Sequence, residues 1–375
     1  MPRLRLTEPF GLIKKHHLRN AIGPVFAIGL FLLAIRLLIH EAQEITWEEF
    51  KGGLVGVDPM YLGIAAFLVA LNYGLLTCYD ILALRYVLRP LPLPRVMLVS
   101  FLGFSLGNNL GTLLAAAPIR YRYYRQFGLS HHQLMGMMSV LALTFWSGLA
   151  WLGGTVLVLS PIQLPADVPI PIGTRTLGVG LLTIAVAYTT LCFLWRKPWP
   201  IGKLHLRLPR PGLAIAQASV AAVDLIISAM TLYLCMPSDA NVPFPLVLSA
   251  FLVAITISII TQVPGGLGVL ELILYALLKD TVGKPVLAAV LIFRVLYFFL
   301  PLVLGMITLV AHEIYVGALE AKEAKEEINH EAREAPHQSV KAGSATTSPA
   351  PSSPSQTPAS IDPSEAIASG QTSTD

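Results

Sequence analysis

Long apolar runs dominate the first 312 residues and predict transmembrane helices. A helix needs about 20 apolar residues to cross a hydrocarbon core of about 30 Å. Many such runs along one chain exclude a soluble fold, which would explain only one or two of them. The pattern predicts an all-α polytopic membrane protein with about six transmembrane helices. The runs lie at 21–39, 60–84, 134–160, 176–195, 213–236 and 286–311.

Two further apolar segments, 96–117 and 246–279, are interrupted by residues that break helices. Proline removes a backbone donor and glycine costs backbone entropy, so neither segment is expected to form one continuous helix. We expect each to enter the membrane and turn back as a re-entrant hairpin. The breaking residues are Gly107, Asn108, Asn109 and Gly111 in the first segment, and Pro264, Gly265, Gly266 and Gly268 in the second.

The basic loops orient the chain, because lysine and arginine concentrate on the cytoplasmic side of membranes. Residues 1–19 are basic, and so are 85–95 and 118–133, which flank the first broken segment on both sides. If that segment crossed the membrane, one of its basic flanks would lie outside. The charges therefore favour a hairpin that returns to the cytoplasm, with both termini cytoplasmic.

The composition changes at the two ends of the chain. Residues 1–20 form a basic cytoplasmic N-terminus, and the run after it is too long for an ordinary cleavable signal peptide. The transmembrane domain covers 21–312, and a cytoplasmic helical extension covers 313–335. Residues 336–375 are rich in Ser, Thr, Pro and Ala, so they predict a disordered tail.

Four ionisable residues lie in or beside the apolar segments: Asp80, Asp224, Glu271 and Arg294. Each is a candidate substrate-binding residue, because a charge at the bilayer centre costs roughly 2.5–3.5 kcal/mol on insertion scales. Arg294 is the expected counter-ion of Asp224, with Glu271 close to the second break. A purely structural ion pair, or an interfacial position for Asp80, is the alternative.

Arg120, Arg122 and Arg125 follow the first break and alternate with tyrosines. The planar guanidinium suits bidentate contact with phosphate, so the cluster predicts a lipid-phosphate site. The alternative is that these arginines only set the topology.

Catalytic and metal motifs are hard to find in the chain. Only 13% of its residues are charged and 54% are hydrophobic, with a net charge of +4. We find no HExxH, P-loop, GxSxG or CxxC motif, so we expect no cofactor, no metal and no enzymatic activity. The three cysteines lie in apolar runs and are read as packing residues: Cys78, Cys192 and Cys235.

The order of features suggests an inverted repeat. An acidic span is followed by a proline-containing loop and a broken hairpin, once around Asp80 and again around Asp224. The two units have opposite orientations in the predicted topology, as inverted repeats of transporters do.

Three stretches carry a family resemblance: SLGNNLGTLLAAAPIRYRYYRQFGLS at 105–130, TQVPGGLGVLELILYALL at 261–278 and, more loosely, VDLIISAMTLYLCMP at 223–237. Together they resemble the transmembrane region of the lysylphosphatidylglycerol synthase/flippase family. The resemblance implies a lipid flippase module. Synthase members continue into a large soluble domain that transfers an aminoacyl group, whereas a short helix and a tail are expected here, so aminoacyl transfer is not.

With this resemblance, the leading functional hypothesis is a lipid transporter or flippase that moves a phospholipid or another lipid between the leaflets of a bacterial inner membrane. The alternative is a membrane accessory subunit for a separate glycosyl- or aminoacyl-transferase, and an intramembrane enzyme is a third option. The expected partners are the headgroup of a membrane lipid and, under the alternative, that transferase, with a homo-oligomer as a further option. No nucleic acid is expected.

Overall fold

The computed structural model describes residues 56–162, 173–195, 199–201, 204–206, 208–237, 241–261, 264–283 and 285–343. The predicted N-terminus 1–20 and first span 21–39 lie outside these ranges, as do residues 344–375. The helices are α1 (Pro59–Tyr86), α2 (Leu93–Leu110), α3 (Ala117–Gln126), α4 (His131–Leu159), α5 (Thr174–Leu194), α6 (Pro211–Leu234), α7 (Phe244–Ile260), α8 (Val269–Val282), α9 (Pro285–Arg294) and α10 (Leu300–Gly343).

Shorter elements complete the described chain. Thr112–Ala116 and Val295–Phe299 are π-helical, and Pro264–Gly266 forms a short 3₁₀ turn. Between α5 and α6 lies an antiparallel two-stranded ribbon, β1 (Trp199–Ile201) and β2 (Leu204–Leu206), in which Trp199 pairs with Leu206. The sequence pattern did not predict this ribbon.

Five helical stretches are long and apolar enough to cross a membrane within the part of the chain that the structure describes: α1, α4, α5, α6 and the continuous stretch Pro285–Glu323. Their starts follow local signals. Pro59 and Pro211 occupy the first turns of α1 and α6, where a missing N–H costs nothing. Ser130 and Gln133 form a capping box at the start of α4. The predicted all-α polytopic membrane fold is confirmed.

The first broken segment folds back on itself, and we call residues 93–126 hairpin 1. A Cβ at Gly107 would lie 2.6 Å from the Cβ of Ala116, so α2 and the chain that follows it pack closely. The Gln133 amide reaches the Val87 carbonyl at 3.5 Å. The end of α1 and the start of α4 therefore adjoin, and hairpin 1 begins and ends on one side of the bundle.

The break in hairpin 1 falls later than the sequence predicted. Helix α2 continues through Gly107, Asn108 and Asn109 to Leu110, and it is capped by Gly111, whose φ of 92° lies in the left-handed region. Glycine at position 107 leaves room for the side chain of Ala116, and this close packing does not require the helix to be interrupted. Of the four residues assigned to this break, only Gly111 has a non-helical backbone.

The second broken segment is also a hairpin, and we call residues 244–282 hairpin 2. Its break lies at Pro264–Gly268, as the sequence predicted. Gly265, Gly266 and Gly268 have φ of 65°, 61° and 74°, which glycine adopts without steric cost. A Cβ at Gly265 would lie 3.1 Å from the Asn109 carbonyl oxygen. The tips of the two hairpins therefore meet main chain to main chain inside the protein.

Small residues bring α4, α5 and α6 into close contact. A Cβ at Gly148 of α4 would lie 2.2 Å from the Cβ of Ala221 on α6. On the other side of α4, added Cβ atoms at Gly154 and Gly178 would meet the backbone of α5 and α4 at 2.8 and 3.0 Å. Such small-residue contacts let helix backbones approach closely in membranes.

Helix directions fit the predicted inverted repeat. Helices α1 and α4 are antiparallel, because their adjoining ends enclose hairpin 1. Helices α4 and α6 are parallel, because Gln217 bonds to Thr144 at 2.9 Å and Ala221 contacts Gly148 one turn further along both. Therefore α1 and α6, the helices that precede the two hairpins, run in opposite directions.

The chain divides into two compact units, Met1–Tyr315 and Val316–Asp375. The described part of the second unit is helical and carries an exposed i,i+4 ion pair between Lys322 and Glu326, 3.8 Å apart. The helix ends at Gly343, past the boundary at 335 that composition suggested.

Candidate functional site

Asp80 and Arg120 form a buried ion pair that joins α1 to hairpin 1. The guanidinium donates from Nε and Nη2 to the two carboxylate oxygens, each at 3.0 Å. The Tyr124 hydroxyl donates to the same carboxylate at 3.0 Å, and Phe104 lies beneath the guanidinium at 4.4 Å. A Cβ at Gly103 would come within 2.7 Å of Arg120 Nη1, so only glycine leaves room for the pair.

Glu271 and Arg294 form a second, largely buried ion pair at the break of hairpin 2, in which the arginine is fully buried and the glutamate partly so. Arg294 Nε donates to Glu271 Oε1. Nη1 and Nη2 donate to the carbonyls of Gly265 and Gly266 at 3.2 and 2.9 Å. An unwound backbone leaves carbonyls without helical partners, and burial requires that they be satisfied. The Arg294 side chain therefore stabilises the break.

The expected pair between Asp224 and Arg294 is wrong. The Asp224 carboxylate instead accepts hydrogen bonds from the Asn72 amide and the Tyr79 hydroxyl, both at 2.7 Å. Arg294 is held by Glu271 and by the free carbonyls of the break. The sequence could not show this preference, because which buried acid meets Arg294 depends on how hairpin 2 packs.

Asp224 belongs to what we call the central polar network, with Asn72, Tyr73, Tyr79, Ser228 and Tyr297. The Asn72 amide nitrogen lies 2.8 Å from the Tyr297 hydroxyl and 3.3 Å from Ser228 Oγ. Ser228 and Tyr297 share a further hydrogen bond of 2.9 Å. The Tyr73 hydroxyl donates to the Tyr297 carbonyl at 3.2 Å. The network thus connects α1, α6 and the π-helical segment 295–299.

Sequence reasoning missed every member of this network except Asp224. Asn72 carried a usable signal, because a side-chain amide in an apolar run needs a partner on another helix. The tyrosines and Ser228 carried none, since such residues are common in membrane helices.

The three arginines after the first break do not share one site. Arg120 is buried against Asp80, and Arg122 Nη2 donates to Glu313 at 2.7 Å. Arg125 is exposed and donates to the Leu129 carbonyl at 3.3 Å. Binding of lipid phosphate by these arginines stays a prediction.

The tip of hairpin 1 is tied to the last membrane helix. The Asn109 amide donates to the carbonyls of Ser105 and Phe298 at 2.9 and 3.1 Å. Asn108 is half-buried, and its amide lies 3.5 Å from the Tyr73 hydroxyl. The predicted break asparagines therefore anchor the tip instead of interrupting the helix.

Two polar atoms near the break of hairpin 2, Glu271 Oε2 and Ser258 Oγ, are buried and have no hydrogen-bond partner among the residues that the structure describes. Ser258 adjoins Gly266, where an added Cβ would lie 3.2 Å from its hydroxyl. Buried polar atoms are normally paired, so these two are available to a polar group that enters the break. No cluster of three or more His, Cys, Asp or Glu residues suited to a metal occurs within the described ranges.

These features define the class: an all-α integral membrane protein with two broken hairpins joined at their tips. No family model matches the chain. It is 32% identical to the inner membrane protein YbhN of Escherichia coli, over 83% of this chain and 98% of YbhN. It is 33% identical to the uncharacterized protein slr0712 of Synechocystis sp., over 77% of this chain and 91% of that protein.

A more distant relative is the phosphatidylglycerol lysyltransferase of Staphylococcus haemolyticus, which is 24% identical over 78% of this chain. The alignment covers 34% of that longer protein. The chain belongs to the family of YbhN and slr0712, which are stand-alone relatives of the lysylphosphatidylglycerol synthase/flippase transmembrane region. The resemblance of residues 105–130 and 261–278 predicted this family correctly.

Proposed function

We propose that this protein is a multi-pass lipid transporter that moves a phospholipid between the leaflets of a bacterial inner membrane. The observation that carries the proposal is the contact between the two hairpin tips, at Gly265 and Asn109. Transporters use broken helices of this kind to present unpaired backbone groups to a substrate inside the membrane.

The polar groups around the tips suit a lipid headgroup. A charged headgroup cannot cross the hydrocarbon core without polar contacts, because an unpaired charge there is costly. The two buried ion pairs and the central polar network supply such contacts on both hairpins. Acyl chains need none of these groups, since they can remain in an apolar environment.

An apolar crevice beside hairpin 2 offers a surface for the acyl chains, separate from the polar groups proposed for the headgroup. It lies between α4, α5 and α7, and nearly all of its lining is aliphatic. Its volume of about 30 Å³ suits contact with part of an acyl chain while the headgroup passes the tips. The lining includes Leu149, Gly153, Leu157, Leu177, Leu252 and Thr256.

The proposal involves no enzymatic step. Lysyl transfer is the activity named for a distant relative, and the alignment with this chain covers only 34% of that relative's length. Transport without chemistry needs only the part of the family fold that this chain shares. Both termini are proposed to be cytoplasmic, and the location follows the inner membrane named for the E. coli relative.

Reconstitution of the full chain into liposomes tests the proposal. The vesicles contain phosphatidylglycerol with a nitrobenzoxadiazole label, and dithionite bleaches only the label that reaches the outer leaflet. Protein-containing vesicles should lose label several-fold faster than protein-free vesicles after the initial outer-leaflet loss. The same assay is run with anionic and with zwitterionic labelled phospholipids. If protein-containing and protein-free vesicles bleach at the same rate for every one of these lipids, lipid transport is ruled out.

A matched pair of glycine variants locates the activity at the tips. Gly265→Ala places a Cβ 3.1 Å from the Asn109 carbonyl at a positive φ, so it should slow bleaching several-fold. Gly63→Ala adds the same methyl group to α1 where nothing lies within 4 Å, and should transport like the parent protein. Equal bleaching rates for the two variants would show that transport does not depend on the tip contact.

A further inference from the structure

Asp80, Asp224 and Glu271, the three acids predicted to bind substrate, differ in one respect. Asp80 and Glu271 each have an arginine partner, Arg120 and Arg294. The Asp224 carboxylate has no cation among its described contacts, and its hydrogen-bond donors are neutral: the Asn72 amide and tyrosine hydroxyls.

Burial makes this difference important. Asp224 is 6% exposed and lies in the middle of α6, an apolar helix packed on several sides. A buried charge without a counter-ion is so costly that the group tends to become neutral instead. A carboxyl group becomes neutral by binding a proton.

Its titratable surroundings do not supply the missing positive charge. The titratable groups that face Asp224 are the phenols of Tyr79, Tyr73 and Tyr297. Among the other helices packed on α6, α7 contains no charged residue, α4 has only two histidines in its first turn, and α5 has one arginine at its second position. Arg294, at the end of α9, bonds to Glu271 and to the break of hairpin 2.

Asp224 is also connected to both hairpins. Its donor Asn72 bonds to Tyr297. Tyr297 lies one helical turn after Arg294, the residue that stabilises the break of hairpin 2. Tyr73 bonds to the Tyr297 carbonyl and to Asn108 near the tip of hairpin 1. A neutral carboxyl group accepts hydrogen bonds more weakly than a carboxylate. Protonation therefore loosens the Asn72 contact and, through it, the groups that hold the tips.

We propose that Asp224 is a proton-binding site that couples lipid movement to proton transfer across the membrane, an inference that rests on the transport function proposed above. One proton bonds to a carboxylate oxygen from the aqueous phase on one side. The same O–H bond breaks when the proton leaves to the other side, and no redox change or further reactant is involved. The substrate of the cycle is then a lipid together with a proton.

Infrared spectroscopy of the purified full chain tests proton binding without reference to transport. At neutral pH the parent protein should show the C=O stretching band of a protonated carboxylic acid. Asp224→Asn should remove this band, whereas the matched acid-to-amide change Glu326→Gln, on the exposed helix of the second unit, should leave it. A spectrum without the band, or a full band in Asp224→Asn, would overturn the proton site.

Proteoliposomes test the coupling. With labelled phosphatidylglycerol, an imposed pH gradient should change the parent rate several-fold, and a protonophore should abolish the change. Asp224→Glu should retain sensitivity to the gradient, and Asp224→Asn should lose it. Parent transport that ignores the gradient overturns the coupling and leaves the transport function intact. Absence of transport under every condition overturns the transport function and the coupling together, while the infrared band still decides whether Asp224 binds a proton.

Discussion

Arg120 and Arg294 are both buried, yet they are satisfied in different ways. Arg120 uses its planar fork on a single carboxylate, that of Asp80. Arg294 divides its donors between Glu271 and two backbone carbonyls. The first arrangement fixes a side-chain pair between two helices, and the second fixes the shape of the main chain. Arginine serves both because its five donors have a rigid geometry.

The Asp80–Arg120 pair gives a prediction about stability. Asp80→Asn leaves a buried guanidinium without its carboxylate, which costs about 3–5 kcal/mol when one partner of such a pair is removed. The double variant Asp80→Asn/Arg120→Gln should be more stable than either single variant, because no unpaired charge remains. Thermal unfolding of the detergent-purified protein measures the change.

Lys322→Gln is the control for this cycle, since it breaks an exposed pair whose contribution should be small. A double variant that melts at or below the lower of the two single variants would contradict a coupled pair.

At the scale of single residues, sequence reasoning found the charged groups but not their partners. Asp80, Asp224, Glu271 and Arg294 were identified because charges are rare in apolar runs. Pairing depends on distances between helices, which the one-dimensional pattern does not contain. The break carbonyls that bind Arg294 are backbone groups, so no residue type marks them.

Helices and hairpins were more predictable, because length and apolar character determine them. For the spans that lie within the described residues, the predicted and observed helices agree to within about one turn at their starts, where prolines and the Ser130 cap act locally. The early break assigned to Gly107–Asn109 shows the limit of this reasoning. Glycine there permits close packing against Ala116, a tertiary role that resembles a helix break in sequence.

Gly107 provides a prediction at the scale of this element. Gly107→Leu should push the two arms of hairpin 1 apart, because even a Cβ at this position would come within 2.6 Å of Ala116 Cβ. We expect a lower melting temperature and transport reduced several-fold. Gly74→Leu adds the same side chain to α1 where nothing lies within 4 Å, and is the matched control. Equal behaviour of the two variants would show that the arms tolerate separation.

Across the whole molecule, the structure places both ends of hairpin 1 on one side of the bundle, and the basic loops predict that this side is cytoplasmic. Single cysteines at Pro92 and Gln126, both exposed, should therefore resist an impermeant maleimide in intact cells and react after permeabilisation. The native cysteines are first replaced by serine: Cys78, Cys192 and Cys235. Labelling of both sites in intact cells would show that the orientation is the opposite of the predicted one. Labelling of one site alone would show that 96–117 crosses the membrane.

The meeting of the hairpin tips has a consequence for how this family can diversify. The contact consists of a peptide carbonyl at Asn109 and the bare α-carbon of Gly265. Its tightness does not depend on the side chains that line the surrounding surface. If the chain moves lipids as proposed, substitutions in the lining should change which headgroup is preferred and leave this main-chain contact in place. Under the proposed function, headgroup preference and the closure of the tips would then depend on different residues, so that one could change by substitution without the other.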